Sequence, residues 1–484
     1  MNKIIKISLL IFAVTLLSCS DLLKIEPRQS VDTAVALSTV DGMEAAVVSV
    51  YSNLKNIALY GRSLIASTEA FGDYTRVINR AGGRYVNEAS NVINTHIGGW
   101  ATYYSNINEA NLILKALPQN PSTQARKDQI EGEMKFLRAL MYFNLARIYA
   151  YEPKIANPLT DKGGIPLILD GTDSPSEITF PARSSVDEVY AQMYKDLNDA
   201  IAKSPATGGP NKVTKAAANA LLARVALYNQ DYPTAIKNAT DALAGGVGRF
   251  VGNSEYIAAW RANSNPESIF EVLFQTRQES IGVNESIQSA YSTIASVSQS
   301  ASLAASRPTP LPVANGYGAV VPTTPFLNLH NAADIRRGLY QDGLNRSGVV
   351  AIESTKFLGK SGVIYMDNVP VLRASEMYLI RAEAYARLAT PNLPSALADI
   401  NQIRVRAGLT PSTASTQATI IAEMELQRAL ELAFEGHRWF DLKRWSRDVI
   451  KTTGNVPYGD TRTIAPIPNS EILANKNLTQ NSGY

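Results

Sequence analysis

The sequence has one cysteine, Cys19, among 484 residues. That excludes an intrachain disulfide and any metal site built on clustered thiolates. Histidine is nearly as scarce. His96, His330 and His437 stand far apart, without the short spacings of a metal-binding pair. Excess charge is also missing: 46 Lys and Arg face 43 Asp and Glu. So near-neutral a balance leaves no electrostatic footprint for nucleic acid. After the first 17 residues no stretch reaches the roughly 20 apolar residues needed to cross a bilayer. The chain has no G-x-S-x-G elbow and no glycine-rich phosphate loop before a helix. No acidic loop has the density of a calcium site. A glycosidase needs only two carboxylates at a set separation. That class stays open on composition, but no pattern argues for it.

What is present begins at the amino terminus. Lys3 and Lys6 precede the apolar run ISLLIFAVTLL, as in a secretory signal. The run closes on Leu16, Leu17, Ser18 and Cys19. This resembles the lipobox of bacterial lipoproteins and implies cleavage before Cys19, with acylation of that residue. Two or more acyl chains give stable anchoring. Removing the leader leaves 44 basic against 43 acidic side chains.

The body of the chain reads as mainly helical. Met43, Val47, Val50 and Leu54 keep helical step, as do Trp100, Tyr104, Ile107 and Leu117. An aromatic-rich helix is expected over residues 126–151, ended by Pro153. Ser185 with Glu188 forms a capping box ahead of a helix over residues 186–203. Two segments share one pattern. In the first, Ala220, Ala223 and Ala226 precede a turn at Asp231, then Ala235, Ala239 and Leu243 follow. In the second, Ala382, Tyr385 and Leu388 precede a turn at Asn392, then Ala396, Ile400 and Ile403 follow. Small facing residues let antiparallel helices approach closely, the logic of a tetratricopeptide hairpin. Residues 61–98 read as loop-like, 281–325 as either a loose helix or a long loop, and SIFEVLF and GVIYM as short strands.

ELAFEGHRWFDLKRW, Glu431 to Trp445, has the composition of an active site. If it is helical, Glu435 and Arg438 are neighbours, and so are His437 and Asp441. A His–Asp pair can orient a base, but no serine or cysteine nucleophile accompanies it. Leu430, Phe434, Trp439, Phe440, Leu442 and Trp445 leave the segment little free surface. Its charges are therefore expected to be internal pairs that fix how helices dock, ahead of a ligand surface or a catalytic base.

A sugar-binding surface stacks pyranose CH faces on aromatic rings and bonds hydroxyls with Asn, Asp and Arg. Two segments outside the periodic helices offer that mixture. One runs from Gly72 to Trp100 and holds Tyr74, Arg76, Arg80, Arg84, Tyr85 and Asn87. The other is ANGYGAVVP, with Tyr317 between two glycines. The ligand-binding candidates are Arg84, Tyr85, Trp100 and Tyr317. Trp100 also keeps step with Tyr104 and Ile107, which is equally the spacing of helix core.

Taken in order, these motifs resemble the RagB/SusD lipoproteins. The resemblance rests on the Cys19 lipobox, WATYYSNINEANLIL, EMKFLRALMYFNLARIYA, GGIPLIL, and GYGAVVPTTPFLNL with DIRRGLY, where Tyr317 stands in a place tryptophan commonly holds. It continues through RASEMYLIRAEAYARL, INQIRVRAGL, the Glu431–Trp445 stretch and the closing IAPIPNSEILANKNLTQNSGY. The resemblance implies a signal peptide over 1–18, a SusD-like amino-terminal region over 19–255 and a RagB/SusD carboxy-terminal region over 256–484. It implies four tetratricopeptide-like helical hairpins, a loop-rich portion and a few short strands. It further implies an outer-membrane, surface-exposed, non-enzymatic lipoprotein of Bacteroidetes without cofactor. Such a protein caps a SusC-like TonB-dependent transporter, its partner, and captures a glycan, or in some members peptides. The glycan site of such proteins lies in the irregular portion, away from the hairpins.

Overall fold

The computed structural model describes residues 33–80, 82–92, 97–154 and 163–484. The leader, Cys19 and His96 lie outside the described residues. Helices of seven residues or more are numbered here from the amino terminus. They are α1 (Val40–Asn53), α2 (Ser63–Phe71), α3 (Trp100–Ala116), α4 (Gln124–Tyr149), α5 (Val186–Lys203) and α6 (Lys215–Tyr228). They continue with α7 (Tyr232–Ala244), α8 (Val297–Ala305), α9 (Ala374–Arg387), α10 (Leu393–Arg406), α11 (Gln417–Leu432) and α12 (Arg438–Arg444).

Nine of these stack side by side: α1, α3, α4, α5, α6, α7, α9, α10 and α11. As pairs, α1 with α3, α4 with α5, α6 with α7 and α9 with α10 make four tetratricopeptide-like units, closed by α11. The expected mainly helical fold is what the chain adopts. Local chemistry sets the boundaries. Ser185 and Glu188 do form the capping box of α5. The α6/α7 and α9/α10 turns use one device twice. Asp231 accepts from the Thr234 amide and Asn392 from the Ser395 amide, each followed by a proline in the first helical turn. Such a cap contributes about 1 kcal/mol. Between α6 and α7 the small residues Ala216, Ala220, Ala223, Ala235 and Ala239 are all buried.

Two expectations are corrected. Residues 63–71 form α2 rather than loop, and Leu64 to Phe71 are buried throughout. A helix covered on all sides has no amphipathic period to find. GVIYM is a turn carrying one isolated bridge, Lys360 with Val363, while SIFEV is indeed a strand, β2 (Ser268–Val272). Its antiparallel partner is β6 (Val369–Arg373), overlooked because Pro370 sits inside it.

The irregular half is held by two smaller pairings. β1 (Thr75–Val77) runs antiparallel to β3 (Val320–Pro322), with Arg76 opposite Val321. β4 (Tyr340–Asp342) pairs with β5 (Ile352–Ser354). The β1/β3 pairing joins the two segments whose chemistry suits a sugar.

Candidate functional site

The Glu431–Trp445 stretch is interior. It is not one helix: Phe434 (φ 66°) and Gly436 (φ 80°) take left-handed backbone between α11 and α12. Hence Glu435 and Arg438 are not paired neighbours. Glu435 meets Arg373 at 2.8 Å and Lys356 at 2.6 Å, while Arg438 meets Asp73 at 2.7 Å. Glu431 accepts from Arg373 at 2.8 Å and Arg406 at 2.7 Å. Burial alone raises its pKa, but Arg406, Arg373 and Arg336 outweigh that and hold it well below the usual carboxylate range. His437 is pushed far below its ordinary value by burial and by surrounding arginines, so it stays neutral. Its Nδ1 faces Arg428 at 3.4 Å, and the Asp441 carboxylate is taken by Arg428 at 2.7 Å and Arg444 at 2.9 Å. A base needs a proton donor within reach, and these side chains face only their own scaffold.

The loop face is built differently. Tyr317 sits just before β3, between two glycines that close approach requires. A Cβ at Gly316 would lie 2.0 Å from the Ser292 carbonyl oxygen, and one at Gly318 (φ +53°) 2.6 Å from Glu353 Oε1. Beneath this turn, buried Glu353 accepts from Arg80 at 2.5 Å, from Ser292 at 3.1 Å and from the Thr293 amide at 2.7 Å. Burial still pushes the Glu353 carboxyl up. That carboxylate is committed to holding the loops.

Above it, two guanidinium groups lie over the half-buried Tyr317 ring. Arg346 Cζ is 4.4 Å and Arg84 Cζ 4.8 Å from the ring centroid. The Tyr317 hydroxyl donates to Asn284 Oδ1 at 2.6 Å. Arg84 donates to the Asn284 carbonyl, and Arg346 to the carbonyls of Gly316 (3.1 Å) and Arg80 (3.2 Å). Tyr365, half-buried with φ 60°, donates through its hydroxyl to the Asn315 carbonyl at 2.6 Å. Its pKa is raised by burial, with Arg346 pulling against that.

Of the predicted residues, Arg84 and Tyr317 are therefore brought together. Tyr85 adjoins them but is 9% exposed, and burial pushes its phenol up to about 12. Trp100 is not brought to that cluster: it is 4% exposed, packed against Tyr104 at 4.9 Å and edge-on to Tyr149 at 5.0 Å. That packing agrees with the helical step it keeps with Tyr104. Arg346, Tyr365, Asn284 and Asn315, absent from the sequence candidates, also meet at this cluster. The turn chemistry of Asn345 to Gly348, with Ser347 and Gly348 both at positive φ, was the available cue for Arg346. Among the described residues no group of His, Cys, Asp and Glu could hold a metal ion.

A cleft of about 230 Å³ lies beyond the carboxy-terminal end of α4, lined by Tyr151, Tyr458, Asp460 and Lys443. Its Lys443 is already paired with Glu152 at 2.9 Å and donates to the Arg147 carbonyl at 2.7 Å.

Comparison with known proteins places this architecture. A family model described as SusD family matches residues 346–462, and one described as starch-binding associating with outer membrane matches residues 29–227. SusD-like protein P2 of Formosa agariphila is 25% identical, with 99% of each chain covered. The starch-binding protein SusD of Bacteroides thetaiotaomicron is 32% identical over 162 residues, 30% of this chain and 27% of that one. A crystal structure of a SusD superfamily protein from Bacteroides thetaiotaomicron has a TM-score of 0.78 at 24% identity, covering 92% of this chain and 99% of that one, and so shares the fold. No described helix is long and apolar enough to cross a membrane. With both family models and full-length relatives in agreement, the chain belongs to the SusD/RagB family.

Proposed function

We propose that the chain is a cell-surface lipoprotein that captures an oligosaccharide or polysaccharide and hands it to a SusC-like TonB-dependent transporter. The observation that carries this reading is the loop-face cluster of Tyr317, Tyr365, Arg84, Arg346, Asn284 and Asn315. It gathers amide, phenol and guanidinium groups on irregular backbone, the hydrogen-bonding chemistry that meets glycan hydroxyls. The helical stack leaves that cluster to loops alone. Binding without catalysis fits the same geometry. The buried carboxylate of Glu353, beside Gly318, is consumed by Arg80, Ser292 and Thr293, and a glycosidase needs two acids facing substrate.

The anchor is Cys19, and the lid-like handover to a transporter follows the family resemblance. Labelled fatty acid should enter the wild type and not Cys19→Ser. The variant should leave the membrane and abolish uptake while keeping its affinity in solution. Label in the variant, or undiminished uptake, contradicts the anchor. Titration against glycans and peptides tests the ligand class. Arg84 and Arg346 also suit a peptide carboxylate, so binding of peptides alone would move the reading to the peptide-capturing branch of the family.

A further inference from the structure

The two arginines over Tyr317 are electrostatically unlike their neighbours. Arg62 pairs with Glu285, Arg80 with Glu353 and Arg438 with Asp73. Among the described residues, no carboxylate forms an ion pair with Arg84 or Arg346. Their partners are neutral carbonyls: Asn284 for Arg84, Gly316 and Arg80 for Arg346. A guanidinium has five N–H donors. These bonds occupy one on Arg84 and two on Arg346, which leaves both with donors to spare.

Tyr317 holds the pair in place. Cation–π attraction fixes each guanidinium against the ring, and the Asn284 bond fixes the ring. Pre-organised guanidinium forks match planar carboxylate and sulfate oxygens, and little entropy is lost when they bind. Two guanidinium charges at one ring make the local potential positive, and an anion at either one lowers it. A neutral pyranose gains less here, because ring surface under a guanidinium is closed to CH stacking.

We infer that the preferred glycan is anionic, bearing uronic carboxylates or sulfate esters, and that Arg84 and Arg346 receive its charged group. This rests on the reading of the loop face as the glycan site.

The test is a calorimetric titration of the full chain with matched pairs: oligogalacturonate against its methyl ester, and a sulfated galactan oligosaccharide against its desulfated form. The two pairs separate carboxylate from sulfate as the source of charge. A neutral malto-oligosaccharide completes the set. The charged member of one pair should bind at least about tenfold more tightly than its neutral form and weaken as salt rises. Arg84→Gln and Arg346→Gln should each cost about tenfold, and Arg346→Lys less than Arg346→Gln. Arg84 bonds one loop carbonyl, so Arg84→Gln should melt with the wild type and keeps the test clear of misfolding. Neutral forms binding as tightly as charged ones, or affinity untouched in both glutamine variants, would overturn the anionic preference and leave glycan capture standing. Binding of no glycan, charged or neutral, would instead defeat glycan capture itself.

Discussion

Replacing Arg373 by methionine should cost this protein more than any surface change. Arg373 is 2% exposed and uses all five N–H donors. Two go to Glu435 at 2.8 and 2.9 Å, one to Glu431 at 2.8 Å, one to Glu267 at 3.0 Å and one to the Glu431 carbonyl at 2.9 Å. Around it, Arg336, Arg406 and Lys356 balance Asp334, Glu267, Glu431 and Glu435 only while Arg373 is charged. Methionine approximates the stem and leaves one buried negative charge uncompensated, at a cost of about 3–5 kcal/mol. Unfolding entropy near 2 cal/mol/K per residue, over about 450 residues, turns that into a Tm loss of about 4 °C. The sharper measurement adds Glu431→Gln. In the double variant Arg336 keeps Asp334 at 2.7 Å, Arg406 keeps Glu267 at 2.7 Å and Lys356 keeps Glu435 at 2.6 Å, so every remaining charge has a partner. Denaturant melts should therefore show the double variant costing well under the sum of the two singles. Additive losses, or a single-variant loss below about 1 kcal/mol, would refute this account of the network.

Two further outcomes follow from buried groups outside the loop face. Burial pushes Glu69 up to about 7, against the opposing pull of the Gly436 amide it accepts from at 2.7 Å. Because its folded pKa lies above the unfolded value, ionising it destabilises the fold progressively as pH rises from about 4.5 towards 7, by about 3 kcal/mol in full. Glu69→Gln keeps an acceptor for Gly436, so its Tm should exceed the wild type's at pH 8 and match it at pH 4.5; an equal offset at both pH values would contradict this. Trp100→Ala removes a side chain only 4% exposed and should cost about 3–5 kcal/mol in denaturant melts without changing glycan affinity. A selective loss of affinity would return Trp100 to the ligand site.

Much of the scaffold was legible because its signals are local. The Ser185 capping box, the Asp231 and Asn392 turns and the alanine-lined hairpins each declare themselves within a few residues. What escaped depends on the fold as a whole. Buried α2 has no solvent-exposed stripe to set a period, and Pro370 disguises β6. The break at Phe434 and Gly436 gives Glu435 and Arg438 partners 62 and 365 residues away in sequence. At the loop face, Tyr317 and Arg84 were visible through composition. Arg346 and Tyr365 reach them from other loops, across separations that local periodicity does not encode.

The central claim is that ligand is captured on the loops and not on the helical stack. Hydrogen exchange of the full chain with and without its tightest-binding glycan tests it most directly. Protection is expected in residues 82–92, 284–292, 315–318 and 345–365, with α4, α6 and α7 unchanged. Protection confined to the helices, or to the cleft at Tyr151 and Tyr458, would contradict it.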